Sequence, residues 1–541
     1  MLEGDSVVVV IIDNLLGRPD LLGLIWRSST LNAFMIATTL PRRQFLSQLS
    51  LGLLGGLTAF TPRLGADTRH PRWDPNRPFP RIGRTLRVQP VFMFRLPTRR
   101  EAASWKSWGG IQTEAAVAEE SDRITAALRH LAATADFPIE FLPVTRVDSP
   151  DAATRLASTP ADVTLLYPCT GSGDLLRACL AIRPDTVLFV RRKSGPIYYW
   201  FQALSVRYLD TAAAGIAEPT APAHVDDVVV DDDTELEWRL RSLFAVKNLR
   251  NTRIVALGGA WGKYAPDAPR LAEERYGFKI IDVPYDTFEP RLRRARADRQ
   301  RLAAAEAAAA DFLALPDTAL ETDRRFVTRA LLLHQLFQEL LQENDATVFT
   351  IQSCMGTIIP MSETTACLTL ALINDEGPMA FCESDFVIIP AGILLRYIAA
   401  RPVFLHNSTF PHQGTVTCAH CTCPRRMDGR TYAPARVLTH YESEYGAAPK
   451  IEMPIGQEVT FINPEYSTTR WLGFTGQIES NPDYEICRSQ QDVRIDGHWR
   501  QLVSEVRDSH WVMAYGSHLN EIGYALRKLG MQWVNLSSTA G

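Results

Sequence analysis

The chain has 541 residues, of which 46% are hydrophobic and 22% are charged, and its formal net charge is −4. These values are ordinary for a folded multidomain protein and exclude a disordered chain, a polytopic membrane protein and a strongly basic nucleic-acid binder. Nine cysteines are too few for a disulfide-stapled scaffold, and their odd number leaves at least one unpaired within the chain. The composition predicts several globular domains, most often those of an enzyme.

The N-terminal region has the pattern of a twin-arginine export signal. Arg42 and Arg43 precede an uncharged stretch rich in leucine and glycine, and the small-residue sequence Leu-Gly-Ala follows at 64–66. The apolar stretch is shorter than the roughly 20 residues that a membrane-spanning helix needs. The alternative is a chance Arg-Arg pair ahead of an amphipathic helix. The order of these features favours a cleaved signal peptide over residues 35–66.

The predicted signal also indicates a location. Residues 1–34 do not fit ahead of a signal peptide, and we interpret them as an extension of the gene model that precedes a start at Met35. We expect a periplasmic or otherwise extracytoplasmic protein that uses the twin-arginine export machinery. The mature chain is expected to have no integral membrane segment and no nucleic-acid partner.

The mature chain is predicted to begin with a linker at 67–84, followed by alternating strand and helix patterns. The alternation runs through residues 85–247 and restarts at 248–400, whereas short strands separated by turn residues predominate in 401–541. Alternating strands and helices are typical of a doubly wound layer, and closely spaced short strands are typical of a barrel or sandwich. The predicted fold class is therefore α/β, with two doubly wound α/β domains followed by a mostly β C-terminal domain.

The individual elements follow from hydrophobic periodicity. In the first α/β region we predict strands at 85–95, 137–147, 163–169 and 186–191 and a helix at 114–135. In the second we predict strands at 253–258, 279–283, 347–352 and 378–382 and helices at 291–313, 326–344 and 386–398. In the last third we predict strands at 403–405, 415–419, 437–441, 458–463, 471–479 and 531–535 and a helix at 519–529. The acidic run at 225–235 is interpreted as a boundary or a solvated loop rather than a metal site, because charge runs usually face water.

A dense group of cysteines, Cys418, Cys421 and Cys423, surrounds His420. Cys418 and Cys421 have the spacing of one half of a zinc site, but no second half follows at a usable distance. A redox or zinc protein that uses these cysteines is the least favoured of the functions that the sequence suggests.

The strand predicted at 378–382 ends in two carboxylates, Glu383 and Asp385, just before the helix predicted at 386–398. Ligands of open α/β sheets bind at the carboxyl ends of the strands, so a carboxylate at this position is well placed to bind a metal or substrate. We interpret Asp385 mainly as the cap of the following helix. Glu383 is the stronger candidate for a functional group.

Histidines are concentrated after this strand. Seven of the eleven in the chain lie between this strand and the C-terminus, and five of them are singled out as candidates: His406, His412, His420, His510 and His518. A glutamate with histidines and amide or carboxylate oxygens is a borderline-hard donor set, which suits Mn²⁺ or iron better than a thiolate-bound metal.

Three segments together resemble a known family. The sequence Cys382-Glu383-Ser384-Asp385, the sequence Pro-Val-Phe-Leu-His-Asn at 402–407 and the sequence Ala-His-Cys-Thr at 419–422 are similar to the L-fucose isomerase and L-arabinose isomerase group, especially its fucose-isomerase-like members. The resemblance covers residues 85–541 and is strongest at 376–423. It implies two α/β domains with a C-terminal β domain, a monosaccharide substrate, a bound Mn²⁺ or other divalent cation, and a trimer or hexamer.

The resemblance also implies residue roles. Glu383 matches the glutamate that binds Mn²⁺ and takes part in proton transfer, and Asn407 stands where the family has an aspartate. His510 matches the late histidine that completes the metal site, with His518 as the nearby alternative. The predicted catalytic residues are therefore Glu383 and Asn407, and the predicted metal ligands are Glu383, Asn407 and His510. His420, His518 and Asp385 are additional candidates.

Family chemistry interconverts aldose and ketose through an ene-diol, with two carboxylates moving the proton. Asn407 offers a carbonyl oxygen to a metal but is no base at neutral pH. Glu383 then works alone with metal-bound water, or another carboxylate substitutes, or the protein binds a sugar without isomerising it. The sequence thus leaves two functions open, an impaired or modified sugar isomerase and an exported, catalytically silent sugar-binding protein.

Overall fold

The computed structural model describes residues 73–198, 200, 204, 208–210, 223–505, 507 and 510–537. The predicted signal peptide at 35–66, the residues before it and the first part of the predicted linker lie outside the described residues. The described residues belong to one compact unit. The domain borders that were expected at 247 and 400 stay predictions.

The first part of the described chain is built on a six-stranded parallel sheet. Its path is β2-β1-β4-β5-β8, and β3 also pairs with β1. The strands of this region are β1 (Leu86–Met93), β2 (Ile139–Phe141), β3 (Thr145–Val147), β4 (Val163–Pro168), β5 (Thr186–Val190), a separate pair β6 (Leu209–Asp210) and β7 (Ala223–His224), and β8 (Val228–Val230). The helices are α1 (Glu114–Thr134), α2 (Pro150–Arg155), α3 (Gly173–Leu180) and α4 (Asp233–Leu249), with 3₁₀ turns at Leu156–Ser158 and Val225–Asp227.

A second parallel sheet of four strands follows, in the order β10-β9-β12-β13. The strands of this region are β9 (Arg253–Leu257), β10 (Lys279–Val283), β11 (Thr318–Leu320), β12 (Val348–Ile351) and β13 (Met379–Cys382). The helices are α5 (Ala268–Tyr276), α6 (Tyr285–Ala297), α7 (Arg299–Leu313), α8 (Arg324–Glu343), α9 (Ile359–Ser362), α10 (Cys367–Asp375) and α11 (Ile389–Ala399), with a π-helical turn at Cys354–Ile358.

The last part of the described chain forms an antiparallel, barrel-like sheet. Strands follow one another in the order β18-β21-β14-β15-β20-β19, and β19 pairs back with β18, so the six strands close on themselves. The elements of this region are β14 (Phe404–Ser408), β15 (Thr415–His420), β16 (Ala435–His440), β17 (Tyr445–Ile451), β18 (Glu458–Pro464), β19 (Arg470–Ser480), β20 (Ser489–Ile495), α12 (Trp499–Ser504), β21 (His510–Tyr515), α13 (Leu519–Lys528) and β22 (Gln532–Asn535). β22 joins β19 in parallel, and β11, β16 and β17 form a separate small sheet.

The mixed helices with parallel sheets and the C-terminal antiparallel barrel confirm the α/β-then-β order expected from the sequence. Several boundaries differ from the predictions. The strand predicted at 137–147 divides into β2 and β3, and the helix predicted at 291–313 is interrupted at Asp298, whose carboxylate accepts hydrogen bonds from the backbone amides that open α7. The strands β17, β20 and β21 were not predicted.

The acidic run at 225–235 is exposed at Asp226, Asp232 and Asp233, as expected of a solvated loop, but not at Asp227. Asp227 is buried, and its carboxylate accepts hydrogen bonds from the Tyr524 hydroxyl at 2.8 Å and from Arg527 at 3.0 Å. The ammonium of Lys528 lies 3.0 Å away. Asp227 therefore links the first sheet region to the C-terminal helix α13, although its counter-charges lie about 300 residues away in sequence.

One hydrophobic cluster extends from the first sheet through α11 to the outer face of β21 and to α13, and a separate cluster fills the barrel. In the part of the chain that the structure describes, no single helix is long and apolar enough to span a membrane. The segments Cys354–Ser362 and Cys367–Asp375, bent by 94° relative to each other, pass the same criterion together on length and composition alone.

Candidate metal-binding and acid–base site

The candidate site lies where β9, β12 and β13 end, at the carboxyl edge of the second parallel sheet. Glu383 and Ser384 follow β13 directly and have φ angles of 64° and 50°. Two successive non-glycine residues in the left-handed region cost of the order of 1–3 kcal/mol each, and such backbone strain is concentrated at functional sites. The strain turns the chain sharply after the strand and supports a functional role for this turn.

The barrel supplies histidines and an amide to the same place. His510 is the first residue of β21, His420 is the last residue of β15, and Asn407 lies on β14. Asn407 is paired directly across from both His510 and Ala419, so its side chain shares a sheet face with His510. Strand ends of the barrel therefore meet a strand end of the parallel sheet.

Glu383 contacts both histidines. Its Oε2 atom lies 3.3 Å from Nε2 of His510, and its Oε1 atom lies 3.9 Å from Nε2 of His420. The side chain of Glu383 is 38% exposed, whereas that of His510 is fully buried and that of His420 is 6% exposed. The carboxylate is thus held by buried imidazoles but remains accessible to a ligand.

Asp385 orients His510. Its Oδ2 atom lies 2.7 Å from Nδ1 of His510, and its Oδ1 atom accepts hydrogen bonds from the backbone amides of Lys263 at 3.0 Å and Val387 at 3.1 Å. The interpretation of Asp385 as the cap of a helix at 386–398 is wrong, because the helix begins at Ile389 and has no side-chain cap. The carboxylate instead holds the imidazole with Nε2 directed at Glu383.

The electrostatics of the site favour a cation between these groups. Burial alone would raise the pKa of Glu383, but hydrogen bonds and charge from His420 and His510 outweigh it and hold the pKa well below its ordinary value. Burial alone would lower the pKa of His510, but Asp385 and Glu383 raise it to about 9. Burial lowers the pKa of His420. The imidazole of His510 therefore holds a proton next to the carboxylate of Glu383. A metal cation can replace that proton and occupy the same position.

The donor set fits a divalent cation. Nε2 of His510 is buried and lies 3.3 Å from the carboxylate of Glu383, while its Nδ1 is bound to the carboxylate of Asp385, which is the usual arrangement of a metal-ligating histidine. Nδ1 of His420 lies 3.0 Å from the Thr422 hydroxyl, which leaves its Nε2 facing Glu383. Ligand atoms of Cys382, Glu383 and His420 all lie within 4.8 Å of one another. These residues can hold a metal ion through oxygen, nitrogen and, at Cys382, sulfur.

Two other predicted positions lie apart from Glu383. His518 is beyond the far end of β21, where its Nε2 lies 3.0 Å from the carbonyl oxygen of Tyr515 and its backbone amide donates to Thr460. His412 is in a hairpin and is exposed. The structure therefore brings together Glu383, His510, His420 and Asp385, with Asn407 beside His510, and leaves His518 outside.

His406 faces the barrel core. Its ring centroid lies 5.0 Å from that of Phe461, and complete burial lowers its pKa to about 3. Because side chains alternate along a strand, His406 and Asn407 point to opposite faces of β14. This histidine is therefore a neutral core residue.

The cysteine group at 418–423 does not form a single cluster. Cys418 and Cys423 belong to the hydrophobic cluster of the barrel, whereas Cys421 packs in a different cluster with Cys367 and Ala448. The sulfur of Cys418 is directed at the carbonyl oxygen of Gln491. The zinc-like spacing of Cys418 and Cys421 is therefore coincidental.

Two features of the site were not expected. Trp261 follows β9 and pairs by its backbone with Ser384 and Phe386, while its side chain is 38% exposed. The sulfur of Cys354 lies 3.7 Å from that of Cys382, the residue before Glu383. The glycine pair after the strand predicted at 253–258 was the signal that could have located Trp261, since glycines there allow close approach of neighbouring strand ends.

No protein-family model matches the chain, and no curated protein matches it.

Proposed function

We propose that the protein is a metal-dependent aldose–ketose isomerase-like enzyme that acts on a monosaccharide through an ene-diol. The observation that supports it most is the linked array of Asp385, His510 and Glu383, with His420 beside it, at the carboxyl ends of parallel strands. This array combines an accessible ionised carboxylate with imidazole ligands that a buried carboxylate orients. The resemblance to the fucose-isomerase-like family agrees with it.

Each residue has a role in this proposal. Glu383, His510 and Asn407 would hold Mn²⁺ or another divalent cation, with His420 as a further ligand, and Asp385 fixes the tautomer and orientation of His510. When bound, the cation would supply polarisation of the sugar carbonyl and the neighbouring hydroxyl. Glu383 is exposed enough to reach substrate and moves the proton between the two carbons of the ene-diol.

Trp261 is placed to contact the sugar. Its backbone amide donates to the carbonyl oxygen of Ser384 at 3.2 Å, directly beside Glu383, and its indole is partly exposed. An aromatic face beside a carboxylate offers the apolar surface that a sugar ring packs against, while the metal and Glu383 take its polar edge.

A second function is favoured by Asn407. The amide lies on the same face as His510, where the family has an aspartate, and it removes one negative charge and one base from the site. The alternative is therefore an exported sugar-binding protein that holds the same ligand without isomerising it. Both functions share the metal ligands, so the two differ in turnover alone.

The proposal includes the wider organisation that the family resemblance implies. The two parallel-sheet regions are the two doubly wound domains, the barrel is the C-terminal domain, and the assembly is a trimer or hexamer. The twin-arginine pattern at 35–66 would direct the folded protein to the periplasm or another extracytoplasmic location, with its metal already bound.

Isotope exchange separates the two functions. The protein, loaded with Mn²⁺, is incubated in deuterated water with a panel of aldoses, and ketose formation and deuterium at the carbon next to the carbonyl are followed by NMR. An isomerase forms deuterated ketose, whereas the binding protein gives heat of sugar binding in calorimetry without deuterium incorporation. Absence of both turnover and binding across the panel would refute both functions.

The Glu383→Gln variant tests the assignment of the site. Removing a general base typically costs about 10²–10⁴-fold in rate, and the loss of a charged ligand weakens the metal site as well. Glu274→Gln is the matched control, because that exposed glutamate on α5 pairs with a surface arginine, Arg270. Unchanged metal content and unchanged exchange in Glu383→Gln would remove Glu383 from the site.

A further inference from the structure

A second group of metal-ligating side chains lies apart from Glu383. Cys367 opens α10, Cys421 follows β15, His440 ends β16, and Cys487 lies in the loop before β20. The ligand atoms of Cys367, Cys421 and His440 all lie within 4.8 Å of one another. Cys487 packs against the cluster that contains Cys367 and Cys421. Three segments distant in sequence thus bring two thiols and one imidazole to one point, and a third thiol, that of Cys487, lies beside them.

Apolar packing alone does not explain this group. Cys421, His440 and Cys367 are 1%, 5% and 8% exposed, and Nδ1 of His440 is buried without a hydrogen-bond partner. A buried imidazole nitrogen without a partner costs of the order of 1–3 kcal/mol, which a metal bond would remove. A cysteine that is buried only as a small apolar residue, such as Cys418 in the barrel core, does not need a histidine beside it.

Arg488 holds three of these segments together. Its backbone amide donates to the sulfur of Cys421 at 3.5 Å, and its guanidinium donates to the carbonyl oxygen of Thr439 at 2.7 Å, one residue before His440. Arg488 is also the residue after Cys487. An amide donor to a cysteine sulfur is a typical outer contact of a metal-bound thiolate, since it stabilises the negative charge on sulfur.

The remaining contacts fix the other two ligands. The side-chain amide of Gln490 donates to the carbonyl oxygen of Cys487 at 2.9 Å and to that of Tyr484, which shapes the loop. The hydroxyl of Thr365 donates to the carbonyl oxygen of Ala447 at 2.8 Å and accepts from its amide, which ties the start of α10 to β17. The start of α10 also directs the positive end of its helix dipole at Cys367, where it favours a thiolate.

We propose that Cys367, Cys421, Cys487 and His440 bind one zinc ion in a closed, four-coordinate structural site. Three soft thiolates with one imidazole are a donor set that selects zinc, and four protein ligands leave no position for substrate. Binding converts three thiols to thiolates and releases their protons, so the zinc complex carries one net negative charge, which lies beside Arg488. The ion links α10 of the second sheet region to the barrel.

The zinc site also bears on the candidate active site. Cys421 is the next residue after His420, whose Nε2 faces Glu383. An ion that holds Cys421 therefore fixes the end of β15 and with it the position of His420. This inference does not depend on the isomerase proposal, because it rests on a separate set of ligands.

The test is the metal content of the full chain, purified without a metal-affinity tag, measured by elemental analysis. We expect one zinc equivalent per chain, which Cys367→Ser and His440→Gln each abolish. Cys418→Ala is the matched control, since this buried cysteine lies three residues from Cys421 but outside the group, and it should retain the zinc. Glu383→Gln should retain it too, which separates this site from the first one.

Cobalt substitution gives a measurement that does not depend on any variant. The Co²⁺ form of the unmutated chain should show thiolate-to-cobalt charge transfer in the near ultraviolet and the intense visible bands of a tetrahedral site. Absence of zinc together with absence of these bands would overturn the proposal. A disulfide among Cys367, Cys421 and Cys487 in non-reducing mass spectrometry, or equal loss of zinc in Cys418→Ala, would also overturn it.

Discussion

Asp385 and His510 are 125 residues apart in the chain, yet Oδ2 of Asp385 lies 2.7 Å from Nδ1 of His510, and both side chains are fully buried. The other carboxylate oxygen is held by two backbone amides, so the carboxylate cannot turn. The imidazole is therefore fixed with Nε2 facing Glu383. The parallel sheet supplies the carboxylates, the barrel supplies the imidazole, and the candidate site exists only where the two meet.

Asp385→Asn should weaken divalent-cation binding about 10–100-fold, the usual effect of losing a carboxylate that orients a histidine ligand. The Asn oxygen would keep the two backbone amides, so its NH₂ group would face Nδ1 of His510 and move the ring proton to Nε2, where it blocks a metal. Calorimetric titration with Mn²⁺ measures the change, with Asp286→Asn, an exposed aspartate on α6, as the control. Equal affinity in both variants would contradict the orienting role.

Asn407→Asp should strengthen Mn²⁺ binding and raise, or create, isomerisation of an aldose. The substitution adds a negative charge on the face that carries His510 and restores a base, and the two side chains are nearly isosteric. Mn²⁺ titration and a ketose-formation assay on a panel of aldoses measure both effects. If the Mn²⁺ affinity and the isomerisation rate both stay unchanged, Asn407 is a strand residue outside the site. The isomerase proposal as a whole is then weakened.

Asp375 should make the protein less stable as the pH rises from about 4 to 7. Burial raises the pKa of this carboxyl to about 7, despite a 2.7 Å hydrogen bond from the backbone amide of Arg426 and the nearby charges of Arg425 and Arg426. The folded protein therefore holds a proton that the unfolded chain releases near its ordinary pKa of 3.8. The contribution to the free energy of unfolding is fully present below pH 4, falls as the pH rises, and is constant above pH 7.

The Asp375→Asn variant should remove this part of the pH dependence. Urea unfolding at pH 5 and pH 8 compares the two proteins, and the fall in the free energy of unfolding between the two values should be smaller in the variant by up to a few kcal/mol, since one pKa unit corresponds to about 1.4 kcal/mol. If the free energy of unfolding falls equally in both proteins between pH 5 and pH 8, Asp375 does not change its ionisation between these two pH values.

Asp227→Ala should lower the free energy of unfolding by about 3–5 kcal/mol, because it leaves the charges of Arg527 and Lys528 without their buried partner. The neighbouring Asp226 is the matched control: it contacts the same Arg527 at 3.1 Å, but its side chain is 53% exposed. Asp226→Ala should therefore cost at most about 1 kcal/mol. Similar values for the two variants in urea unfolding would rule out the burial argument.

Replacing both Arg42 and Arg43 by lysine should leave the protein in the cytoplasm. The twin-arginine route reads the arginine pair itself rather than its positive charge, so a charge-conserving change is sufficient to test it. Cell fractionation followed by immunoblotting measures the distribution. Unchanged export would rule out this route for the chain.

Much of the local structure followed from hydrophobic periodicity. The strand predicted at 378–382 is observed as Met379–Cys382, and the helix predicted at 114–135 is observed as Glu114–Thr134. Both patterns are local, because a buried strand needs a short apolar run and an amphipathic helix needs a repeat of about 3.6 residues. Glu383 could be located in this way, since it needs only the end of a buried strand.

Elements that depend on distant partners were not predictable. The helix expected at 386–398 begins at Ile389, because Asp385 and the two residues after it belong to the turn that holds His510 and pairs with Trp261. Asp227 looked solvated because Arg527 and Lys528 are remote in sequence. The strand His510–Tyr515 has no clear alternation of polar and apolar residues. It is defined by its pairing with β14 and β18.

The sequence by itself determined which residues carry chemistry and which strands are buried, since residue type and short-range hydrophobic order are local properties. Only the tertiary structure decided which of these residues meet. It placed His510 and His420 against Glu383, left His518 at the far end of β21, and separated Cys421 from Cys418. The physical reason is that a metal or acid–base site needs side chains within a few ångströms of one another, and chain folding, rather than sequence spacing, sets that distance.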